Sequence, residues 1–294
     1  MRKRKRRRAR RLVVVLLSDT HAGQKLALLN PETVLSDEHG EPYTPGLTTT
    51  QQYLWELYES HIDNVAELAD GCRVILVHVG DITQGTRFVE HLCLTSINDQ
   101  ILGAIANLRP WYEDKRIHLT HARIIVGTGV HGWEGSAEAL IGKGLAELYG
   151  DVDTRTLYHA QLALQDQAGQ VVDLAHHGPY PGSRNWLTGN GARYYLRSAM
   201  LDEMVDGVTP PRVYVRAHYH QWVHETIRIR QNGQDVEGDL IITPCYTGAT
   251  DYTRKATRSI RKLDHGLVAL EFEGGLVGVH PFYSELDIRS KEAL

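Results

Sequence analysis

Residues 76–85 read Leu76-Val77-His78-Val79-Gly80-Asp81-Ile82-Thr83-Gln84-Gly85. An apolar run that stops at Gly-Asp has the pattern of a buried strand ending in a turn, with one carboxylate held at the carboxyl edge of a sheet. Ligands and active sites collect at that edge in open α/β folds. Gly-Asp alone is an ordinary turn, so the argument needs company. Four further segments end apolar runs in Asp or His in the same manner: Ser18-Asp19-Thr20-His21, Gly127-Thr128-Gly129-Val130-His131, His176-His177-Gly178 and Ala217-His218-Tyr219-His220. Five strand-end clusters of hard and borderline ligands point to a metal site.

Outward from that stretch, the first half of the chain reads β-α-β-α-β-α, the signature of a layered α/β unit. Residues 12–17 form a first strand that delivers Asp19 and His21. A long connection over 22–47 follows, punctuated by Asn30-Pro31, Asp37-Glu38-His39-Gly40 and Glu41-Pro42, and such a loop directly after ligands suits a substrate-facing role. Thr48 or Thr49 caps a helix to about Leu68, with Leu54, Leu57, His61, Val65 and Leu68 on one face. A second strand spans 73–79, a second helix about 88–108 bounded by Pro110, a third strand is centred on 124–126, and a helix runs from Ser136 to Tyr149. The second half is richer in strands. Residues 156–165 and 170–175 read as a hairpin around Gln167-Ala168-Gly169. A helix to about Met204 and strands near 212–217, 222–230, 238–243, 266–273 and 276–282 complete the chain. Two sheets packed face to face and covered by helices fit this order.

The chain has 294 residues, 42% hydrophobic and 23% charged, which suits a soluble globular protein with a substantial core. No apolar run approaches the roughly 20 residues that span a bilayer. Three cysteines (Cys72, Cys93 and Cys245) without a CxxC exclude a disulfide framework and a zinc knuckle, and a reducing, cytoplasmic setting is the simplest expectation. Residues 1–11 stand apart as a basic arm ahead of a single domain over 12–294. Arg2, Lys3, Arg4, Lys5, Arg6, Arg7, Arg8, Arg10 and Arg11 supply nine positive charges, and setting those nine aside from a net charge of −4 leaves about −13 on the body. The following apolar run of six residues is shorter than the roughly 7–15 of a signal-peptide core. The arm fits contact with nucleic acid or another polyanion, or a solvated tail.

Taken in order, Asp-x-His, Gly-Asp-x3-Gly, a Gly-led turn with His, His-Gly and His-x-His resemble the calcineurin-like metallophosphoesterase superfamily across about residues 13–221. Asp19-Thr20-His21 and Gly80-Asp81 match its motifs closely, and Ala217-His218-Tyr219-His220 is similar to its Gly-His-x-His. The resemblance implies a four-layered α/β/β/α sandwich of two mixed sheets flanked by helices. It also implies two divalent transition-metal ions, Mn favoured with Fe, Zn or Ni as alternatives, in keeping with a carboxylate and imidazole donor set. By the same resemblance Asp81 bridges the ions, Asp19, His21 and His220 complete one, and His177 and His218 serve the other, with water activated between them for in-line attack on phosphorus. His176 remains the alternative to His177, which the following Gly178 favours.

The third motif departs from the family's Gly-Asn-His. Aligning Gly127-Thr128 with Gly-Asn puts the Thr128 hydroxyl where an amide oxygen is expected; aligning Gly129-Val130-His131 keeps the His and loses the ligand. The first is preferred because the strand ends at Gly127, and a Gly-Thr-x-x-His form is similar to that of phage and prophage members. His131 is then the candidate for contacting phosphate or protonating the leaving oxygen, with Glu134 as its orienting partner. Residues 242–248 occupy the place of the family's Asn-Pro-Gly-Ser segment. Trp111, Trp133, Trp186 and Trp222 are packing residues or base-stacking surfaces. The expected activity is hydrolysis of a phosphodiester, in nucleic acid given the arm and the 22–47 loop. A nucleotide or small-molecule phosphomonoesterase and a non-catalytic metal-binding scaffold are the alternatives.

Overall fold

The computed structural model describes residues 11–133, 135–165, 167, 169–182, 187–231, 233–250, 262–289 and 292. Residues 2–10 of the basic arm, Glu134 and Trp186 lie outside the described residues. The chain is an α/β protein built on two mixed sheets. In the first, β1 (Arg11–Leu17), β4 (Arg73–His78), β5 (His118–Ile125) and β6 (Asp153–Leu157) run parallel, while β12 (Lys262–Glu273) and β13 (Leu276–Asp287) add on antiparallel beside β1. The second sheet places β9 (Val213–Arg216) between β8 (Gln170–Leu174) and β11 (Gln234–Ile242), parallel to both. Its edges are β7 (Ala160–Leu164) and β10 (Val223–Gln231). A two-strand ribbon, β2 (Leu35–Ser36) with β3 (Pro42–Tyr43), orders part of the long connection after β1.

Strand alternation divides the core. Val13, Val15 and Leu17 of β1, with Val74 and Leu76 of β4, face a cluster filled by the helices α1 (Thr49–Ala69), α2 (Ile97–Glu113) and α4 (Ser136–Leu148). Leu12, Val14 and Leu16, with Ile75, Val77 and Val79, face the second sheet and meet Val172, Leu174, Val213, Val215 and Ile241 there. Burial on both faces is why β1 and β4 read as continuous apolar runs rather than as alternating ones. The other face of the second sheet packs Tyr214, Leu240 and Ile242 against Ala192, Leu196 and Met200 of α5 (Asn190–Val205). Each fully buried aliphatic side chain contributes about 1.5–3 kcal/mol relative to exposure. The doubly covered strands are therefore the rigid frame from which the loops at their ends hang.

Local chemistry sets the helix ends. Thr48 caps α1 in a reciprocal box: its hydroxyl accepts from the Gln51 amide (3.2 Å), and Gln51 Oε1 accepts from the Thr48 amide (2.9 Å). Two expectations need correction. The helix expected over 88–108 starts at Ile97, after a short 3-10 turn at Val89–His91, and runs through Pro110 to Glu113. Proline lacks the N–H that would bond the Ala106 carbonyl, and Asn30 Nδ2 donates to that carbonyl instead (2.8 Å). The second correction concerns 156–165, which is two strands rather than one. The chain breaks at Tyr158-His159, so that β6 joins the first sheet beside β5 and β7 joins the second beside β8.

Asn30 is thus a structural keystone outside any regular element. Its own amide also donates to Asn107 Oδ1 (2.8 Å). Asn30→Ala keeps the backbone bond to Asn107 but leaves the buried Ala106 carbonyl unsatisfied, and is expected to destabilise the fold by about 1–3 kcal/mol. In urea unfolding this reads as a lower midpoint at unchanged slope, whereas an unchanged midpoint would show that the Ala106 carbonyl does not depend on Asn30.

Candidate metal centre

The parallel pairing of β1 and β4 continues past the strand ends, where it holds the two acidic loops together. The Asp19 amide donates to the Gly80 carbonyl (3.0 Å), the His21 amide to the Asp81 carbonyl (3.1 Å) and the Ala22 amide to the Ile82 carbonyl (2.9 Å). Close approach demands glycine at two of these strand ends. A methyl group at Gly80, whose φ is +102°, would collide with the His176 ring, and one at Gly127 would collide with the amide and Oδ1 of Asp81. The loops are also strained. Asp19, His21, Asp81, His218 and His220 all have positive φ, and they are five of the seven non-glycine residues so placed among the described residues. Such conformations persist only where the surroundings over-determine them, and they concentrate at functional sites.

These loops bring the expected ligands together. Asp19, His21 and His220 present one donor atom each within 4.8 Å of one another, as do Asp19, Asp81, His176 and His218, and His176, His177 and His218. Asp19 thus belongs to two groupings and Asp81 to one, although the bridge was expected of Asp81. Within the second grouping, His176 Nε2 stands 3.1 Å and His218 Nδ1 3.7 Å from Asp81 Oδ2. The donor set suits a borderline transition-metal ion, and two orphaned atoms fit one as well. Asp19 Oδ1 and His21 Nδ1 are buried without a hydrogen-bond partner, a cost of about 1–3 kcal/mol each in a protein interior. The nearest ionic neighbours of Asp19 Oδ1 are His220 Nε2 at 3.3 Å and His21 Nε2 at 3.9 Å.

The electrostatics follow from burial and crowding. Burial opposes ionisation of Asp19, but the imidazole of His220 beside it outweighs that and holds the carboxyl below its usual range. At Asp81 burial is likewise outweighed, here by His176 and His218, and its pKa is lowered. His176 is pushed the other way: burial disfavours its cation, yet the Asp81 carboxylate prevails and raises it to about 9. Burial, with His131 beside it, lowers His21 to about 3. His21 is therefore neutral and ready to ligate across the physiological range, whereas His176 must first release a proton.

Both paired histidines fall in possible ligand groupings, and they point differently. Val172, Leu174 and His176 share one face of β8 and its extension, toward the space between the sheets, so His176 is the one aimed at Asp81. Its Nδ1 is fixed by the Val79 carbonyl (2.6 Å). His177 is exposed and meets the cluster edge-on, its ring 4.8 Å from His176 and 4.7 Å from His218. Thr128 sits at the centre of the second grouping. Its amide donates to Asp81 Oδ1 (2.6 Å), its hydroxyl to Asp81 Oδ2 (3.2 Å), and that hydroxyl lies 3.4 Å from both His176 Nε2 and His218 Nδ1.

His131, in the short helix α3 (Gly129–Gly132), packs its ring against His21 at 4.7 Å. Its Nδ1 is anchored on the Gln84 carbonyl (2.8 Å), and Thr83 Oγ1 donates to its own carbonyl (2.7 Å). Sequence reasoning missed the groups that aim these ligands. Ser18 Oγ donates to Asp19 Oδ2 (2.5 Å) and contacts Thr243 Oγ1 (2.7 Å), while Thr20 Oγ1 meets His78 Nε2 (2.9 Å). The fully buried Glu138 accepts from the Gly127 amide (3.2 Å). Residues 242–248 buttress the first pocket through Thr243 and through the Tyr246 amide, which donates to the Asp19 carbonyl (3.3 Å). Trp111 is wholly buried and bonds the Tyr58 hydroxyl, Trp222 packs against the space between the sheets, and Trp133 is exposed.

No protein-family model matches the chain, and no curated protein matches it either. The geometry therefore stands on its own, and it makes a prediction. His176→Ala is expected to remove metal from the second grouping while His177→Ala retains it, as read by metal-to-protein ratio after reloading. Because a metal competes with the proton on His176, occupancy of that grouping should rise with pH from neutral toward about 9. Equal loss in the two variants would reject the assignment of His176.

Proposed function

We propose that the chain is a metal-dependent phosphoester hydrolase of the four-layered α/β/β/α metallophosphoesterase type, acting on phosphodiesters in nucleic acid. The observation that carries this reading is the convergence of Asp19, His21, Asp81, His176, His218 and His220 from separate strand ends into overlapping groupings within hydrogen-bond or ligand reach. Two sheets face to face with helices packed on their other faces support the layering. Asp19, His21 and His220 would hold one divalent ion and Asp81, His176 and His218 a second, Mn in the first place. Such a pair supplies Lewis-acid polarisation of the phosphoryl group and an activated water.

The protein's own groups do the rest. Thr128 locks Asp81 through both carboxylate oxygens, so the carboxylate presents a fixed direction. Ser18 Oγ holds one oxygen of Asp19, Oδ2. With Nδ1 of His131 held on the Gln84 carbonyl, Nε2 is the atom left to carry a proton to the leaving oxygen. The nine cations of residues 2–11 favour a polyanionic substrate over a small monoester.

Metal-free protein reloaded with Mn is expected to hydrolyse bis-p-nitrophenyl phosphate, and Asp81→Asn to lose that turnover. Mn bound without turnover on any phosphodiester would instead favour the scaffold reading. His131→Asn should cost about 10²–10⁴ in kcat on a nucleic-acid diester. The loss should be much smaller on the aryl ester, whose leaving group needs little protonation, and equal losses on both would remove His131 as the acid. Deleting residues 2–10 is expected to weaken DNA or RNA binding and flatten its salt dependence while sparing the aryl ester. An unchanged salt slope would return the monoester reading.

A further inference from the structure

Helix α5 is the outer layer beside the second sheet, and it carries two apolar stripes where packing uses one. Ala192, Leu196, Met200 and Met204 recur every four residues and meet Tyr214, Leu240 and Ile242 of that sheet. On the opposite side Tyr194, Leu201 and Val205 stand in solvent, 76%, 39% and 85% exposed. Single exposed apolar residues are ordinary, and spacing is what separates these. Tyr194, Ser198, Leu201 and Val205 follow one another at steps of four, three and four. Positions so spaced fall in one line along a helix, and that repeat seats one helix against another, the side chains of each entering the gaps of its neighbour.

The flanks of the line say what covers it. Arg197 borders it on one side and Asp202 on the other, both exposed. Among the described residues neither side chain has an ion pair or hydrogen bond. By contrast Arg193 pairs with Glu225 (2.7 Å), and Glu203 accepts from Gln161 (3.2 Å). Arg197 and Asp202 are five residues apart. When two parallel helices are related by a two-fold axis between them, residues five apart on opposite flanks meet across the seam. Each Arg197 then faces Asp202 of the second copy, once on either side. Antiparallel pairing would set Arg197 beside Arg197 and Asp202 beside Asp202. The charges therefore complement a second copy of this chain, and in one orientation. Val205 and Leu201 fill the two alternating classes of seam position with a β-branched residue and a leucine, a combination that favours two strands. Ser198 is small enough for the axes to close to the roughly 8–10 Å of packed helices.

We propose that the outer face of α5 is a self-association surface that pairs, parallel and in register, with α5 of a second copy. Tyr194, Ser198, Leu201 and Val205 lie in the seam, and Arg197–Asp202 pairs close both flanks. The proposal does not depend on the hydrolase reading, yet it bears on the site. The amino end of α5 abuts Tyr180, whose ring meets Tyr219, and the Tyr219 ring meets His218. Parallel pairing thus sets both candidate metal centres at the same end of the dimer. One helix face buries less than the roughly 1,200 Å² of a standard interface, so the dimer forms at a Kd on the order of 10–100 μM.

The test is sedimentation velocity of the full chain over about 1–200 μM. The wild type is expected to pass from one chain toward two across that range. Val205→Lys places two like charges in one layer of the seam and should weaken association at least about tenfold. Its urea midpoint, read where the chain is monomeric, should match wild type, since Val205 lies off the helix's own core. Arg197→Asp and Asp202→Arg should each weaken association about tenfold, and the double reversal should restore it. A wild type that stays a single chain throughout, or association indifferent to Val205→Lys, would overturn the proposal. Single reversals without effect, or a double reversal no better than either, would overturn the parallel pairing.

Discussion

Two carboxylates, Asp19 and Asp81, are buried beside each other at the ends of adjacent parallel strands, and the surrounding architecture answers to that constraint. Like charges out of water repel strongly and lose their hydration. Everything packed around them supplies positive potential or a donor: the imidazoles of His176, His218 and His220, the Thr128 and His218 amides, and the hydroxyls of Ser18 and Thr128. Five ligand-bearing residues adopt left-handed backbone conformations to do so, at about 1–3 kcal/mol each. Strain of that size needs a stiff frame, and β1 and β4 are covered on both faces.

That same double burial made the frame legible. A strand buried on one face shows alternation, which single residues can blur. A strand buried on both shows an unbroken apolar run, and Leu12 to Leu17 and Val74 to Val79 each end within two residues of an aspartate. Helix α1 was legible because its capping box is local, a Thr and a Gln three residues apart. Helix α2 was not, because the partner that lets it continue through Pro110 is Asn30, about eighty residues away in sequence. The split between β6 and β7 was hidden for the same kind of reason. Which sheet a strand joins is decided by its neighbours β5 and β8, not by its own residues.

At the site, residue types were readable and directions were not. Asp-x-His and His-x-His place two ligands on the same side of a short loop whatever the tertiary context. His176-His177 offers two neighbours that point apart, and only the facing of Val172 and Leu174 toward the space between the sheets settles which one meets Asp81. Proximity in sequence marked His78 as a supporting residue, whereas Ser18 and Glu138 could not have been picked out. Each acts through a bond to a residue or backbone group whose position the fold alone creates. Glu134 lies outside the described residues, and the contacts that hold His131 come from Gln84, Thr83 and the His21 ring.

Parallel strands also sort chemistry by position along the chain. Residues that open β1, β4 and β5 gather at one edge of the sheet, and residues that follow their ends gather at the other. Leu12 pairs with Arg73, and Arg73 with His118, so the amino edge runs from Arg11 through Arg73 toward His121 and Arg123. Arg11 itself is tied there by Glu271 and by the Leu68 carbonyl. The cationic arm is thus rooted at the edge opposite the carboxylates, with the acidic body between them. Two closely packed strands join these edges: β4 carries Arg73 at one end and delivers Asp81 at the other, and β1 carries Arg11 and delivers Asp19.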